Sequence, residues 1–371
     1  MLNNLKVIEL ASVLAGPGVG QFMAELGAEV IKIENPRTGG DVTRSWRVPG
    51  EVGDDRSAYF CAVNWGKRSV ALDLTNSNDQ AICHRLIRTA DVVIASFKPG
   101  DAEKLGMDYY TLSNLREGLI YAQITGYGAD NKRTGYDAVI QAEAGFMSMN
   151  GVPGGESLKM PVALIDVLAG HHLKEAILLA IIERLETGKG KFIDISLIHA
   201  GVASLANQAT NWLMAGHLPK KEGSAHPNIA PYGDVFTTSD GFELMLAVGN
   251  DRQFADLCAV LALGDLQSNP LYASNGSRVI NRESLRALLE VAIGKHDANA
   301  LVSTLHQRHV PSGIIRNVAD VFNDEQAREL VLNHGNLSGL RSYLGENPAN
   351  GRELLPPPHL GEHTEVVLSG V

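Results

Sequence analysis

The chain of 371 residues is 44% hydrophobic and 20% charged, an ordinary balance for a soluble globular protein and long enough for two domains. Its net charge of −10 argues against a nucleic-acid binder, which needs a basic stripe, while leaving room for a local basic pocket that takes a small anion. Three widely spaced cysteines, Cys61, Cys83 and Cys258, make neither a disulfide framework nor a metal knuckle, so no metal is expected and a reducing compartment is.

The opening MLNNLKVIEL reads directly as a strand rather than a signal or transit segment. The longest apolar stretch, around 176–182, is too short to span a bilayer. A cytoplasmic setting is expected, with no membrane and no nucleic acid among the partners.

Leu5–Leu10 is a buried strand, followed by the glycine-rich turn ASVLAGPGVG, a helical run QFMAEL and a second strand, AEVIKIE, with alternating apolar positions. Strand, turn, helix, strand is a βαβ unit and predicts a parallel sheet. The rhythm continues with SVALDL as strand, AICHRLIRTA as helix, and DVVIASF and LIYAQITGY as strands. Ligands of such sheets bind at the carboxyl edge, which selects loops 11–18, 35–44, 96–106 and 125–136. Gly16, Pro17, Gly18 and Gly20 approach a dinucleotide fingerprint, but the third required glycine is Gln21 and Pro17 removes a donor. A tight turn opening a helix is the better reading.

Residues 135–170 place two carboxylates in different settings. Asp137 follows Tyr136 after the turn-rich GYGADNKRTG, and Asp166 closes the apolar run Val162–Ile165. Asp166 reads either as the N-cap of a long helix beginning near Val167 or as a nucleophilic carboxylate at a helix N-terminus, where backbone N–H groups can receive an oxyanion. Residues 167–186 have the apolar repeat of a long buried helix, GKGKF ends it, and FIDISLI returns as a strand. His171 and His172 lie in that helix, where packing or a solvated face is the simplest role.

The expected layout is a large domain at 1–200, a linker at 201–233 and a smaller α+β domain at 234–323. A C-terminal segment, 324–371, returns to the first domain, with a rigid Pro356–Pro358 stretch and a final helix. DVFTTSDGFELMLAVGN reads as a hairpin turning at SDG.

Taken together, KVIELASVLAGP, LGAEVIKIE, GDVTR, NWGKRSVALDL, ADVVIASFKPG, ITGYG, AGF after GYD, LIDVLAG, TGKGKFIDISL and PPPHLGEHT resemble the class III CoA-transferases over nearly the whole length. GSAHPNIAPY and GNDRQFADLC look closest to the succinyl-CoA:glutarate branch, which points to a dicarboxylic acceptor. The resemblance implies an α/β fold with a large Rossmann-like parallel-sheet domain, a smaller α+β domain and an interlocked homodimer. It implies acyl-CoA and a small carboxylic acid as substrates, with no tightly bound cofactor.

By the same resemblance Asp166 is the nucleophile, expected to be held ionised by the helix N-terminus and hydrogen bonds despite burial. Tyr136 and Asp137 would support the thioester, with Asp137 as a helix cap the plain alternative. Val13, Leu72, Ser96, Phe97, Asp101, Lys104, Tyr127 and Leu197 would surround CoA, and Arg37, Lys98 and Lys104 would supply charge for its phosphates. The resemblance is imperfect. Leu14 replaces a glutamine, Thr125 stands where a lysine is found, and GSAHPNIAP replaces a glycine-only loop, which disfavours oxalate or formyl-CoA chemistry. His226 and Asn228 are candidates for the acceptor carboxylate. Two other classes share this fold. Racemases of branched acyl-CoAs place a histidine where Tyr136 stands, and a phenol, titrating near 10 in model peptides, is a poor base at neutral pH. A non-catalytic CoA binder would have no use for Asp166.

Overall fold

The computed structural model describes residues 1–345 and 354–370, which form two compact units. The larger comprises residues 1–145, 160–206 and 326 onward; the second comprises 146–159 and 207–325. These limits differ from the expected ones, because 146–159 groups with the second unit. The stretch 201–233 includes the helix Asn207–Ala215, within the run ASLANQATNWLMAG whose pattern is helical.

The larger unit is built on strands β1 (Lys6–Leu10), β2 (Glu29–Glu34), β3 (Lys67–Ala71), β4 (Val92–Ala95), β5 (Ile120–Thr125) and β6 (Lys191–Ser196). They form one sheet in the order β3-β2-β1-β4-β5-β6, and every pairing is parallel. This is the doubly wound order, in which the reversal between β1 and β4 opens a crevice beyond their carboxyl ends. Val and Ile runs suit strands covered on both faces. Ile8, Ile31, Val70, Val93 and Tyr121 are buried in one core with Leu86 and Ile87 of the helix Ser77–Arg88.

The alternation read in AEVIKIE predicts one wet face on β2. Instead Val30 to Glu34 are all buried, and Lys32 and Glu34 are buried as charges. The helix Ala15–Glu25 follows β1, and Gly20 is needed there because a Cβ would collide with the Glu9 carboxylate. The long helix runs over Leu164–Thr187 and stops at Gly188 in the left-handed conformation. The C-terminal residues lie on the same unit: His363 N–H donates to Ser69 O, and Ala71 N–H donates to Thr364 Oγ1 at the edge of β3. A hairpin of β10 (Val331–His334) and β11 (Leu337–Leu340) packs Leu332 and Leu337 against Trp65.

The second unit has its own core. Strands β7 (Tyr232–Thr237), β8 (Glu243–Ala247) and β9 (Ser312–Ile314) form an antiparallel sheet, with the hairpin turning at Ser239-Asp240-Gly241. Phe236, Leu246, Phe254, Leu289 and Leu305 pack between that sheet and its helices. Among the described residues no helix is long and apolar enough to cross a membrane.

Candidate active site

A cavity of about 520 Å³ opens beyond the carboxyl ends of β1, β4 and β5, where the strand order reverses. Val13, Leu14, Ser96, Phe97, Lys98, Tyr136, Asp137, Asp166 and Leu197 all line it. Residues far apart in sequence and selected there as site candidates therefore share one crevice.

Asp166 is 9% exposed and lies in the first turn of the long helix. It is not the N-cap: the helix begins at Leu164, after Ala163, whose side chain makes no cap. The cap arrives from elsewhere. Asp137 Oδ1 accepts the N–H of Ile165 at 2.7 Å and that of Asp166 at 3.3 Å. Gln141 Nε2 donates to Asp137 Oδ2 at 2.7 Å, and Gln141 Oε1 accepts from Met160 N–H, which ties the two segments together. The plain alternative for Asp137, a helix cap, is what the structure shows, and the helix it caps is the one that carries Asp166.

This arrangement also corrects the expected electrostatics. Burial first, and the neighbouring Asp137 charge second, push the Asp166 carboxyl up to about 7. Near neutral pH the anion is then a substantial fraction, in the range where acid–base and nucleophilic groups operate.

Tyr136 is placed by a close backbone crossing. A Cβ on Gly126 would lie 2.5 Å from Gly135 N, so neither strand of the crossing tolerates a side chain. Thr125 Oγ1 donates to Asp194 Oδ1 at 3.0 Å and accepts from Gly128 N–H, fixing the same loop.

The loop after β1 is held at successive backbone atoms. Ala11 O accepts from Lys32 Nζ at 2.7 Å, Ser12 N–H donates to Ser96 Oγ at 3.1 Å, and Val13 N–H donates to Asp41 Oδ1 at 3.3 Å. Val13 has φ of 74°, a left-handed conformation that costs a β-branched residue on the order of 1–3 kcal/mol. Burial would raise the Asp41 carboxyl, but the Lys32 ammonium and bonds from Thr43 outweigh it and hold it below the usual carboxylate range. Lys32 also pairs with Glu9 at 2.9 Å, and Glu9 with Lys67 at 2.8 Å, all within the core. Leu14, Ala15 and Gly16 border the cavity, and their N–H groups have no acceptor among the described residues. Gly170 lets the two helices meet, since a Cβ there would sit 3.3 Å from Ala15 O. The amino end of the helix Ala15–Glu25 thus borders the cavity and favours an anionic group there, whereas the amino end of the long helix is already taken by the Asp137 carboxylate.

A second, apolar slot of about 180 Å³ is lined by Leu72, Leu74, Ile33 and Leu105 and shares Phe97 with the main cavity. Leu72 belongs to this slot rather than to the main cavity. Arg37 is exposed and paired with Asp73 at 2.9 Å. Asp101 and Lys104 pair with each other at 3.0 Å and line neither space. Tyr127 stays outside the lining too, donating to Glu143 while Arg133, which does line the cavity, stacks over its ring. His226 and Asn228 lie in the second unit, where Asn228 N–H donates to His226 Nδ1 at 3.1 Å.

Sequence reading missed Tyr59, Gln141 and Asp41. Burial and then the charges of Asp166, Asp137 and Asp41 raise the Tyr59 phenol, which places that ring within their field. No local spacing announces these residues; Asp41 alone lies inside a loop selected as a strand-end candidate.

The profile of CoA-transferase family III matches residues 2–364. A succinate–glutarate CoA-transferase from Agrobacterium fabrum is 40% identical over 99% of this chain and 95% of its own length. The succinyl-CoA:glutarate CoA-transferase of Homo sapiens is 34% identical over 100% of this chain and 86% of its own length. Among solved structures, a CAIB/BAIF family protein from Brucella suis matches with a TM-score of 0.85 at 40% identity, covering 100% of this chain and 98% of that one. The parallel-sheet crevice, the match along nearly the whole length and these relatives lead to one assignment: the chain is an enzyme of CoA-transferase family III.

Proposed function

We propose that the enzyme moves CoA from succinyl-CoA to a second dicarboxylic acid, glutarate foremost, through covalent intermediates on Asp166. The observation that carries this reading is Asp166 itself, a buried carboxylate in the first turn of a helix, pushed up to about 7 by burial and by Asp137, in a cavity bordered by backbone N–H groups with no acceptor among the described residues. Two relatives named as transferases between succinate and glutarate support the acid pair.

The Asp166 carboxylate attacks the succinyl thioester carbon, the C–S bond breaks, and a mixed anhydride and CoA thiolate result. The thiolate attacks the Asp166 carbonyl of the anhydride, releasing succinate and leaving an aspartyl-CoA thioester. The acceptor carboxylate attacks that thioester, giving a second anhydride, and the freed thiolate takes the acceptor's acyl group. Asp166 is regenerated carrying one oxygen from the acceptor. Each tetrahedral intermediate places negative charge on a carbonyl oxygen, for which the Leu14, Ala15 and Gly16 amides are suited donors. Burial of Asp166 slows hydrolysis of the anhydrides by limiting water. The chemistry needs no resident cofactor, since the enzyme carboxylate is the carrier.

In this reading the apolar slot at Leu72 and Phe97 takes the adenine, and Arg37 and Lys98 meet the phosphates. Val13, Ser96 and Leu197 border the pantetheine arm, with Tyr136 beside the thioester and Asp137 holding the catalytic helix. Asp101, Lys104 and Tyr127 act from the periphery. We extend the proposal to an interlocked homodimer, supported by exposed apolar side chains at Leu179, Ile182, Leu185, Trp212, Leu213 and Met214.

The test is incubation of the purified enzyme with succinyl-CoA and glutarate, followed by mass-resolved chromatography. Glutaryl-CoA is expected to appear as succinyl-CoA disappears, one for one. Hydrolysis to free CoA without glutaryl-CoA overturns the assignment of the acceptor.

A further inference from the structure

We propose that Asp41, braced by Lys32, is a positioning residue of the CoA-transfer site. It holds Val13 in its left-handed conformation, so that the amides of Leu14, Ala15 and Gly16 face the reacting thioester. The inference rests on the transferase reading above and adds a residue that touches no substrate.

The geometry is specific. One carboxylate oxygen of Asp41, Oδ1, accepts from Val13 N–H at 3.3 Å, Thr43 N–H at 3.0 Å and Thr43 Oγ1 at 2.8 Å. The other, Oδ2, pairs with Lys32 Nζ at 2.9 Å. Lys32 in turn grips Ala11 O, so a single ion pair clamps the loop on both sides of Ser12. Both charges are buried, with side chains 1% exposed at Lys32 and 0% at Asp41. A buried ion pair of this kind is not an economical source of stability, because desolvation offsets much of the attraction. Its location explains it better. The clamp sits directly behind a strained residue whose successor opens a helix with free donors into the cavity. Strain of this sort persists only where the surroundings over-determine it, and such sites cluster where geometry serves function.

The first variant is Asp41→Asn, which can offer Val13 a weaker, neutral acceptor. The account requires kcat/KM for succinyl-CoA to fall by about tenfold or more, the order set by the cost of a left-handed β-branched residue. Titration with CoA alone, whose pantetheine arm Val13 borders in the proposed pose, reads displacement of the same loop as weakened binding. A merely structural role is separated by the Val13→Gly background, where glycine adopts positive φ freely. There the Asp41→Asn change is expected to cost less than about threefold. Should Asp41→Asn not fold, Lys32→Met with Asp41→Asn removes one charge of each sign and leaves Glu9 paired with Lys67; the same comparison is then made. An equal loss in the Val13 and Val13→Gly backgrounds, or no loss in either, overturns the proposal. Absence of CoA transfer by the unsubstituted enzyme instead overturns the transferase reading, and the CoA titration still decides the role of Asp41.

Discussion

The Asp137 carboxylate caps the helix that carries Asp166, accepting the N–H of Asp166 itself at 3.3 Å while its charge raises the Asp166 carboxyl. One residue therefore both positions Asp166 and raises its carboxyl. The two effects are separable, because the cap needs only an acceptor oxygen whereas the tuning needs a charge.

Asp137→Asn keeps an oxygen for the cap and removes the charge. In the proposed mechanism ionisation of Asp166 sets the acid limb of kcat/KM against pH, and that limb is expected to move to lower pH. It should not reach the ordinary carboxylate range, because burial is the larger cause of the raised value. An unmoved limb contradicts the coupling. Asp137→Ala also loses the cap, and its stability should fall by about 1 kcal/mol in chemical denaturation.

Asp166 makes the fold itself pH-dependent. From the usual carboxylate range up to about 7, the folded chain keeps a proton that the unfolded chain releases, so this group's contribution to stability falls as pH rises through that window. The full cost above the window is roughly 4 kcal/mol. Asp166→Asn, which cannot ionise, is expected to melt several degrees higher than the unsubstituted protein at pH 8, with the gain vanishing near pH 4. A gain independent of pH contradicts the assignment.

Gly135→Ala drives a Cβ to 2.5 Å from Gly126 Cα and shifts the segment that carries Tyr136 and Asp137. Displacement on the order of 1 Å in a reacting constellation costs about a hundredfold in rate. The expected result is a loss of kcat of that order. Wild-type kcat in a folded Gly135→Ala enzyme counts against the crossing as a positioning device.

Phe97 borders both the main cavity and the apolar slot. Phe97→Ala is expected to weaken CoA about tenfold by calorimetry, from lost apolar contact. Affinity for a truncated acyl-pantetheine thioester, which lacks the nucleotide, should change much less. Equal losses for both ligands place the nucleotide elsewhere.

Much of the fold was legible in local pattern. The Val and Ile runs of Lys6–Leu10, Val92–Ala95 and Ile120–Thr125 announce parallel strands, and of the loops that the strand-end rule then selects, 11–18, 96–106 and 125–136 meet in one crevice while 35–44 does not line it. Local pattern failed where the partner is distant. The start of the long helix was read at Asp166 because a carboxylate before an apolar run resembles a cap, whereas the capping group is 29 residues earlier, at Asp137. Lys32 and Glu9 read as ordinary strand residues because nothing local shows that Asp41 and Lys67 bury and pair them. Tyr59 carries no motif at all; tertiary packing alone brings it into the field of Asp166.

The most direct test of a covalent Asp166 follows oxygen. The enzyme is turned over briefly with succinyl-CoA and glutarate labelled with oxygen-18 in its carboxylates, then digested with trypsin. In the peptide 160–174 Asp166 is the one acidic side chain. Label entering that side chain, located by fragmentation and dependent on succinyl-CoA, is the predicted result. Glutaryl-CoA formed with no label in Asp166 would contradict the aspartyl anhydride and return the reaction to direct exchange between the two acids.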